Sequence, residues 1–166
     1  MVFFDCDGVI NSYDWDITAM PDDIPDLDID PQAMGRLNYI YEETNAFFVM
    51  SSDWREDFDD ACKRLRRSGA EFPIIGYIPL HIFDMTQPDK SRGAEIEHWI
   101  ADNVTDDDFN YVIIDDCADF RKKQKKHFVK INPKTGITNV DVAKVIKILK
   151  TDNVLREKHF LRKHKY

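Results

Sequence analysis

Five short apolar runs, separated by stretches with helical periodicity, constrain the fold of this chain more than any other feature of its sequence. Each run spans three to five residues, the length of a short buried strand, and several are β-branched or aromatic. Strands that alternate with helices predict an α/β fold with a mostly parallel sheet and helices on its faces. The five runs are residues 2–4, 46–50, 73–75, 111–114 and 127–131.

The spacing of apolar residues between these runs predicts four helices. Residues 32–43 and 56–68 each place apolar side chains on one face, and the second stretch stops at Gly69. Ser91 and Thr138 precede two further periodic stretches, so we expect them to cap the helices that follow.

Two segments fall outside the alternation. Residues 12–31 contain seven Asp and three Pro with little periodicity, which predicts an irregular loop or flap after the first strand. Residues 151–166 are basic and predict either a short docked helix or a frayed tail. We therefore expect one domain over residues 1–150, followed by this C-terminal segment, and no second domain.

Charge is divided unevenly along the chain. Residues 1–120 contain 8 basic and 28 acidic residues, residues 121–166 contain 15 basic and 3 acidic ones, and the net charge is −8.

No apolar run approaches the roughly 20 residues that span a bilayer, and we expect no signal peptide at the N-terminus. The spacing of the three cysteines fits neither a disulfide framework nor a zinc site. We therefore expect reduced thiols, a cytoplasmic location and no membrane partner.

Carboxylates and hydroxyls directly follow three of the predicted strands. Asp5 and Asp7 follow the first run, Ser51 follows the second, and Asp115 and Asp116 follow the fourth. Ligands of open parallel sheets bind outside the carboxyl ends of the strands, so these residues are the best candidates for chemistry. Aspartates from separate strand ends would repel one another unless a cation lay between them. Hard oxygen ligands of this kind suit Mg²⁺ together with a phosphoryl group.

The residue types in this set favour phosphoryl transfer. Asp5 can attack phosphorus, and Asp7 can protonate the leaving oxygen and later deprotonate water. Ser51 can donate a hydrogen bond to the phosphoryl group, while Lys90 or Arg92 can offset its developing charge.

These motifs resemble the haloacid dehalogenase (HAD) superfamily, whose first motif, aspartate-x-aspartate-glycine, matches residues 5–8. A narrower resemblance, to the HAD domain of Swiss Army Knife RNA repair proteins, covers residues 51–56, 92–96, 112–116 and 132–138. The resemblance implies a HAD-like Rossmannoid fold with three α/β/α layers, a mostly parallel central sheet and minimal or no cap. It also implies a Mg²⁺-dependent phosphatase that acts through an aspartyl-phosphate intermediate.

The same resemblance implies a role for each acidic residue. Asp5 would be the nucleophile and a metal ligand. Asp7 would be the general acid and base, and it would bind the metal through its backbone carbonyl. Asp116 would complete the protein ligands, with Asp115 or Asp119 acting through water.

Two assignments stay open between neighbouring residues. Either Ser51 or Ser52 can be the phosphate donor, and we favour Ser51 because it directly follows the apolar run. The cation of the third motif can be Lys90, the residue type that is common in the superfamily, or Arg92, on which the narrower resemblance centres.

Substrate contacts are predicted around the same strand ends. Trp54 is either a core residue or, together with Arg55, a neighbour of a substrate base or phosphate. The basic cluster after the fourth strand could hold a phosphate backbone, or it could be a solvated face that balances the acidic body. The expected contacts are Gly8, Ser52, Trp54, Arg55, Asp119, Arg121, Lys122 and Lys123.

The segments between the motifs are short, so we expect a flap rather than a cap domain and an open site. An open site can accept a phosphate at the end of a large molecule. We predict hydrolysis of a phosphomonoester on a nucleotide or polynucleotide end, with nucleic acid contacted through the basic segment 121–134. The alternatives are a small-metabolite phosphatase and a non-catalytic nucleic-acid- or protein-binding module on the same fold.

Overall fold

The structure is a computed structural model that describes most of the chain. The described residues are 1–15, 28–79, 89, 91–105 and 109–163, with side chains described up to residue 151. Lys90, the acidic run 106–108 and most of the predicted loop over residues 12–31 lie outside the described residues.

In the described part of the chain, five strands form one sheet: β1 (Val2–Phe4), β2 (Phe48–Met50), β3 (Ile74–Tyr77), β4 (Val112–Asp115) and β5 (Phe128–Lys130). Their order across the sheet is β3-β2-β1-β4-β5, and each neighbouring pair is parallel. Every strand overlaps one of the five predicted apolar runs. The prediction of a mostly parallel α/β fold is therefore confirmed.

The α-helices of the described chain are α1 (Pro31–Thr44), α2 (Phe58–Arg67), α3 (Arg92–Asn103) and α4 (Asn139–Lys163). Ser91 caps α3 as predicted, because its Oγ accepts a hydrogen bond from the Ala94 amide at 3.2 Å. Thr138 does the same for α4, at 3.4 Å from the Asp141 amide. The last helix continues without a break into the basic C-terminal segment. None of the described helices has the length and apolar character that crossing a membrane requires.

Helices pack on both faces of the sheet. Phe4 faces a core that also contains Leu37 of α1 and Val145 of α4. Phe3, one residue earlier, faces the opposite side, where it packs with Ile96 of α3 and meets the ring of Trp99 edge-on, with centroids 5.5 Å apart. Burying each such side chain contributes about 1.5–3 kcal/mol. The alternation along β1 therefore builds the three predicted α/β/α layers.

The start of α3 is held against the chain that leaves β4. The Gly93 amide donates to the Asp119 carbonyl at 3.1 Å, and Gln124 Nε2 donates to the Gly93 carbonyl at 2.9 Å. A Cβ at Gly93 would lie 2.9 Å from the Arg121 amide nitrogen, so a larger residue does not fit there without movement. Arg92, the first residue of α3, is thereby placed beside the carboxyl ends of β1 and β4.

Candidate active site

Three polar residues form a row just beyond the carboxyl ends of the central strands. Phe4 pairs with Met50 and with Ile114, so the next position on each strand brings together Asp5, Ser51 and Asp115. Two backbone hydrogen bonds extend the ladder to this row, from Asp5 to the Ile114 carbonyl at 2.9 Å and from Ser51 to the Phe4 carbonyl at 2.8 Å. All three residues of the row are buried.

Burial dominates the electrostatics of the two carboxylates in the row. It raises the pKa of Asp5, and the charge of Arg92 and a hydrogen bond from the Ser52 hydroxyl oppose the shift. Burial, followed by repulsion from Asp5, raises the pKa of Asp115 to about 7. A hydrogen bond of 2.7 Å from the Cys117 amide to Asp115 Oδ1 offsets only part of this effect. The site therefore favours a cation next to these carboxylates.

Among the buried polar atoms that make no hydrogen bond within the part of the chain that the structure describes, three belong to the row or to Arg92 beside it: Ser51 Oγ, Arg92 Nη1 and Asp115 Oδ2. An unpaired buried polar group costs about 1–3 kcal/mol, so such atoms are rare unless a ligand pairs with them. Two of the three are donors and one is a carboxylate oxygen. A phosphoryl group bound next to a cation would satisfy all of them.

Acidic side chains at the exit of β4 fit a hard cation. Asp115, Asp116 and Cys117 each offer one ligand atom, and these atoms lie within 4.8 Å of one another. Gly8 brings the chain after β1 against the same group, because a Cβ there would lie 2.7 Å from Asp116 Oδ2. The backbone of Gly8 also has a positive φ of 68°, which favours glycine. These oxygen donors, with Asp5 in the neighbouring position, are the type that Mg²⁺ prefers.

One oxygen of Asp7 accepts hydrogen bonds from two side chains that the sequence did not predict as its partners. Asn11 Nδ2 donates to Asp7 Oδ1 at 2.7 Å, and Trp54 Nε1 donates to the same oxygen at 3.1 Å. The guanidinium of Arg64 lies over the Trp54 ring, 4.2 Å from its centroid. Asn11 follows Asp7 by four residues, just after the first motif, and this spacing is the one sequence signal that could have indicated the contact.

The two serines after β2 have different partners. Ser52 caps the 3₁₀ helix Asp53–Asp57 by accepting from the Trp54 amide at 3.4 Å, and its hydroxyl bonds to the Asp5 carboxylate. Ser51 Oγ has no partner among the described residues, although it is fully buried in the same row as Asp5.

Arg92 and Arg55 occupy distinct positions around the row. Arg92 Nη1 lies 3.7 Å from Asp5 Oδ1, and its Nη2 lies 3.4 Å from the exposed Asp53. Arg55 points inward: it is 5% exposed, pairs with Glu95 at 3.1 Å and donates to the Ser51 carbonyl at 3.4 Å. Arg92 is thus the described cation beside Asp5, whereas Lys90, the other candidate, lies outside the described residues.

Most of the basic residues predicted to contact substrate are engaged within the protein. Arg121 pairs with Asp89 at 2.9 Å and with Glu97, and Lys123 pairs with Glu97 at 3.1 Å. Lys122 is exposed, at the start of the 3₁₀ helix Lys122–His127. Asp119 accepts a hydrogen bond from the Arg92 amide at 3.2 Å, so its carboxylate faces the start of α3.

A cleft of about 260 Å³ opens over the described part of this edge. Acidic, basic and thiol side chains meet in it, which suits a charged ligand rather than an apolar one. Its lining residues are Arg55, Arg92, Glu95, Asp115, Cys117, Asp119 and Phe120.

One family model covers most of the chain. The model of the HAD domain in Swiss Army Knife RNA repair proteins matches residues 1–142 of 166. No curated protein and no solved structure matches the chain. The matched residues run from β1 into the start of α4, so they contain every strand and every site residue described above.

The raised pKa of Asp115 predicts how the stability of the metal-free protein depends on pH. Its pKa rises from 3.8 to about 7, so ionising Asp115 costs folding free energy that begins above pH 4 and is complete above pH 7. The melting temperature of Asp115→Asn, measured in EDTA, should therefore rise relative to wild type as the pH increases from 4 to 8. Glu42→Gln, at an exposed position on α1, should show a flat difference. A flat difference for Asp115→Asn as well would contradict the prediction.

Proposed function

The chain belongs to the family of HAD domains found in Swiss Army Knife RNA repair proteins, and on this premise we propose that it hydrolyses phosphomonoesters with Mg²⁺. One observation carries the proposal. Ser51 Oγ, Arg92 Nη1 and Asp115 Oδ2 make no hydrogen bond among the described residues, and they lie beside Asp5, where they match the oxygens of a phosphoryl group and its cation.

In the first step, a carboxylate oxygen of Asp5 attacks phosphorus and the bond from phosphorus to the ester oxygen breaks. Asp7 gives its proton to the leaving oxygen, and an aspartyl-phosphate remains on Asp5. Ser51 Oγ and Arg92 Nη1 donate to the phosphoryl oxygens. The hydrogen bond from Ser52 keeps Asp5 oriented during the attack.

In the second step, water attacks the phosphorus of the aspartyl-phosphate. Asp7, now a carboxylate, takes a proton from that water, and the bond between phosphorus and the Asp5 oxygen breaks. Inorganic phosphate leaves, Asp7 is protonated again and Asp5 is regenerated. One residue can serve both steps because Asn11 and Trp54 bond to a single oxygen of Asp7, which leaves the other oxygen to carry the proton.

The proposed Mg²⁺ ligands are the side chains of Asp5 and Asp116 and the backbone carbonyl of Asp7, with Asp115 or Asp119 acting through water. Bound there, the ion would neutralise the carboxylates and polarise the phosphoryl group. The contacts of the two side chains favour Asp115 over Asp119, since Asp115 Oδ2 makes no hydrogen bond among the described residues while the Asp119 carboxylate accepts one from the Arg92 amide.

Asp5→Asn tests the proposed reaction. An amide is not a nucleophile at this position, so phosphate release from 4-nitrophenyl phosphate with Mg²⁺ should fall by at least about a thousandfold. Glu42→Gln should retain wild-type activity, and circular dichroism should show both variants folded. Activity retained in folded Asp5→Asn would remove Asp5 as nucleophile. A wild-type protein without activity on any phosphomonoester would favour the non-catalytic module.

Trp54 is proposed to act through Asp7 rather than on the substrate. Trp54→Phe removes the indole donor, so it should slow hydrolysis of an alkyl phosphate about tenfold more than that of 4-nitrophenyl phosphate, whose leaving group needs little protonation. Trp99→Phe is the matched control, because that ring packs on Phe3 at the opposite face of the sheet from the main core. Equal losses on both substrates would contradict a role in proton donation.

We propose a nucleotide or polynucleotide end as the substrate. The family is named for RNA repair proteins, and Lys122, Lys125 and Lys126 are exposed just beyond the proposed metal site. Because Arg121 and Lys123 are paired internally, contact with a phosphate backbone next to the metal site would depend mainly on these three lysines. Lys130 and Lys134, later in segment 121–134, are also exposed.

Salt dependence tests this proposal. Affinity for a 3′- or 5′-phosphorylated oligoribonucleotide should fall with salt, and replacing the three lysines by Ala should reduce the slope of log K against log [salt] by about 0.7 per lost contact. The matched control replaces three lysines on α4: Lys144, Lys147 and Lys150. An unchanged slope would contradict the contact. Preference for mononucleotides or sugar phosphates over oligonucleotides would favour the small-metabolite alternative.

We also propose that the protein works in a reducing compartment such as the cytoplasm. Cys6, Cys62 and Cys117 are all free thiols in the structure, which is typical of proteins that are not exposed to oxidising conditions.

A further inference from the structure

We propose that Cys117 lets the cation site at the end of β4 bind a thiophilic divalent ion such as Zn²⁺ or Cd²⁺ in place of Mg²⁺. This inference rests on the magnesium site of the proposed function. It adds a ligand, and a class of metal, that the proposed phosphatase reaction does not use.

The geometry brings a thiol among the carboxylates. Cys117 Sγ and one oxygen each from Asp115 and Asp116 lie within 4.8 Å of one another, a spacing that a single ion can bridge. Cys117 is exposed and lines the same cleft as Asp115, so an ion can reach the sulfur from solvent.

A second observation points to a ligand at this place. Asp115 is 1% exposed, yet its Oδ2 makes no hydrogen bond to any of the residues that the structure describes. The other oxygen already accepts from the Cys117 amide. A buried carboxylate oxygen without a donor is costly, and a cation bound between Asp115 and Cys117 would satisfy it.

The chemistry of the donor set separates two classes of ion. Mg²⁺ takes hard oxygen ligands and has little affinity for sulfur. Zn²⁺ and its heavier congener Cd²⁺ accept carboxylate oxygens and bind thiolate strongly. As the metal–sulfur bond forms, the thiol proton of Cys117 passes to solvent, and no electron is transferred.

The chain supplies a matched control among its other thiols. Cys62 lies on α2 and is partly exposed, whereas Cys6 is completely buried. Cys62→Ser therefore removes an accessible thiol away from the carboxylates, and Cys117→Ser removes the one that lies among them.

The first measurement is a titration of the metal-free full chain with Cd²⁺. Binding is monitored by the ultraviolet charge-transfer absorption of the cadmium–thiolate bond. Wild type and Cys62→Ser should show a band that saturates at one equivalent. Cys117→Ser should lose that band, and its affinity for Cd²⁺, measured by calorimetry, should fall by at least about 10–100-fold. A band that persists in Cys117→Ser, or that disappears in Cys62→Ser, overturns the proposal.

The second measurement is competition. Excess Mg²⁺ should raise the apparent Kd for Cd²⁺ in proportion to its concentration, because the two ions share Asp115 and Asp116. A Kd that does not respond to Mg²⁺ overturns the shared site.

These results can distinguish failure of the thiol ligand from failure of the proposed phosphatase reaction. A cadmium–thiolate band that weakens when Mg²⁺ is added, in a protein without phosphatase activity, would support the site and reject the reaction. Phosphatase activity that depends on Asp5, in a protein that shows no such band, would support the reaction and reject the thiol ligand.

Discussion

Asp5 and Asp115 lie next to each other because β1 and β4 pair in parallel, with Phe4 opposite Ile114 and one further residue on each strand. Both carboxylates are buried, and burial raises the pKa of each; the charge of Asp5 raises the pKa of Asp115 further. Backbone register fixes this juxtaposition, so side-chain rotation can relieve it only in part. The contacts that these two side chains make with their other polar neighbours offset part of that repulsion.

One positive charge and two hydrogen-bond donors offset the repulsion between Asp5 and Asp115. Arg92 brings a guanidinium within 3.7 Å of Asp5, and it is kept there because Gly93 allows α3 to begin in contact with the chain after β4. Ser52 adds a hydrogen bond to Asp5, and the Cys117 amide adds one to Asp115. These contacts do not restore an ordinary pKa to either acid. The remaining imbalance favours a bound cation, and it makes the site's chemistry and its stability two aspects of one electrostatic arrangement.

Local rules in the sequence predicted the framework of this site but not the contacts between distant side chains. Strands followed from short apolar runs, and the cap at Ser91 followed from its position before a periodic stretch. Asp5 and Asp115 were identified because each ends an apolar run. By contrast, the bond from Trp54 to Asp7 joins residues 47 positions apart, and no periodicity encodes it. Arg55 was predicted to contact substrate, and it lines the cleft, but no local pattern indicates its buried ion pair with Glu95 of α3.

The same distinction applies to the division of charge between the acidic body and the basic C-terminal quarter. Read along the sequence, the cluster that begins at Arg121 resembles a surface for polyanions. In the structure, Arg121 and Lys123 neutralise Glu97 and Asp89, which belong to α3 and the residues just before it. Part of the basic charge thus holds the helix that carries Arg92 against the exit of β4. Part of the basic charge therefore positions the edge that carries the candidate site. Only the lysines that point to solvent remain for a polyanionic partner.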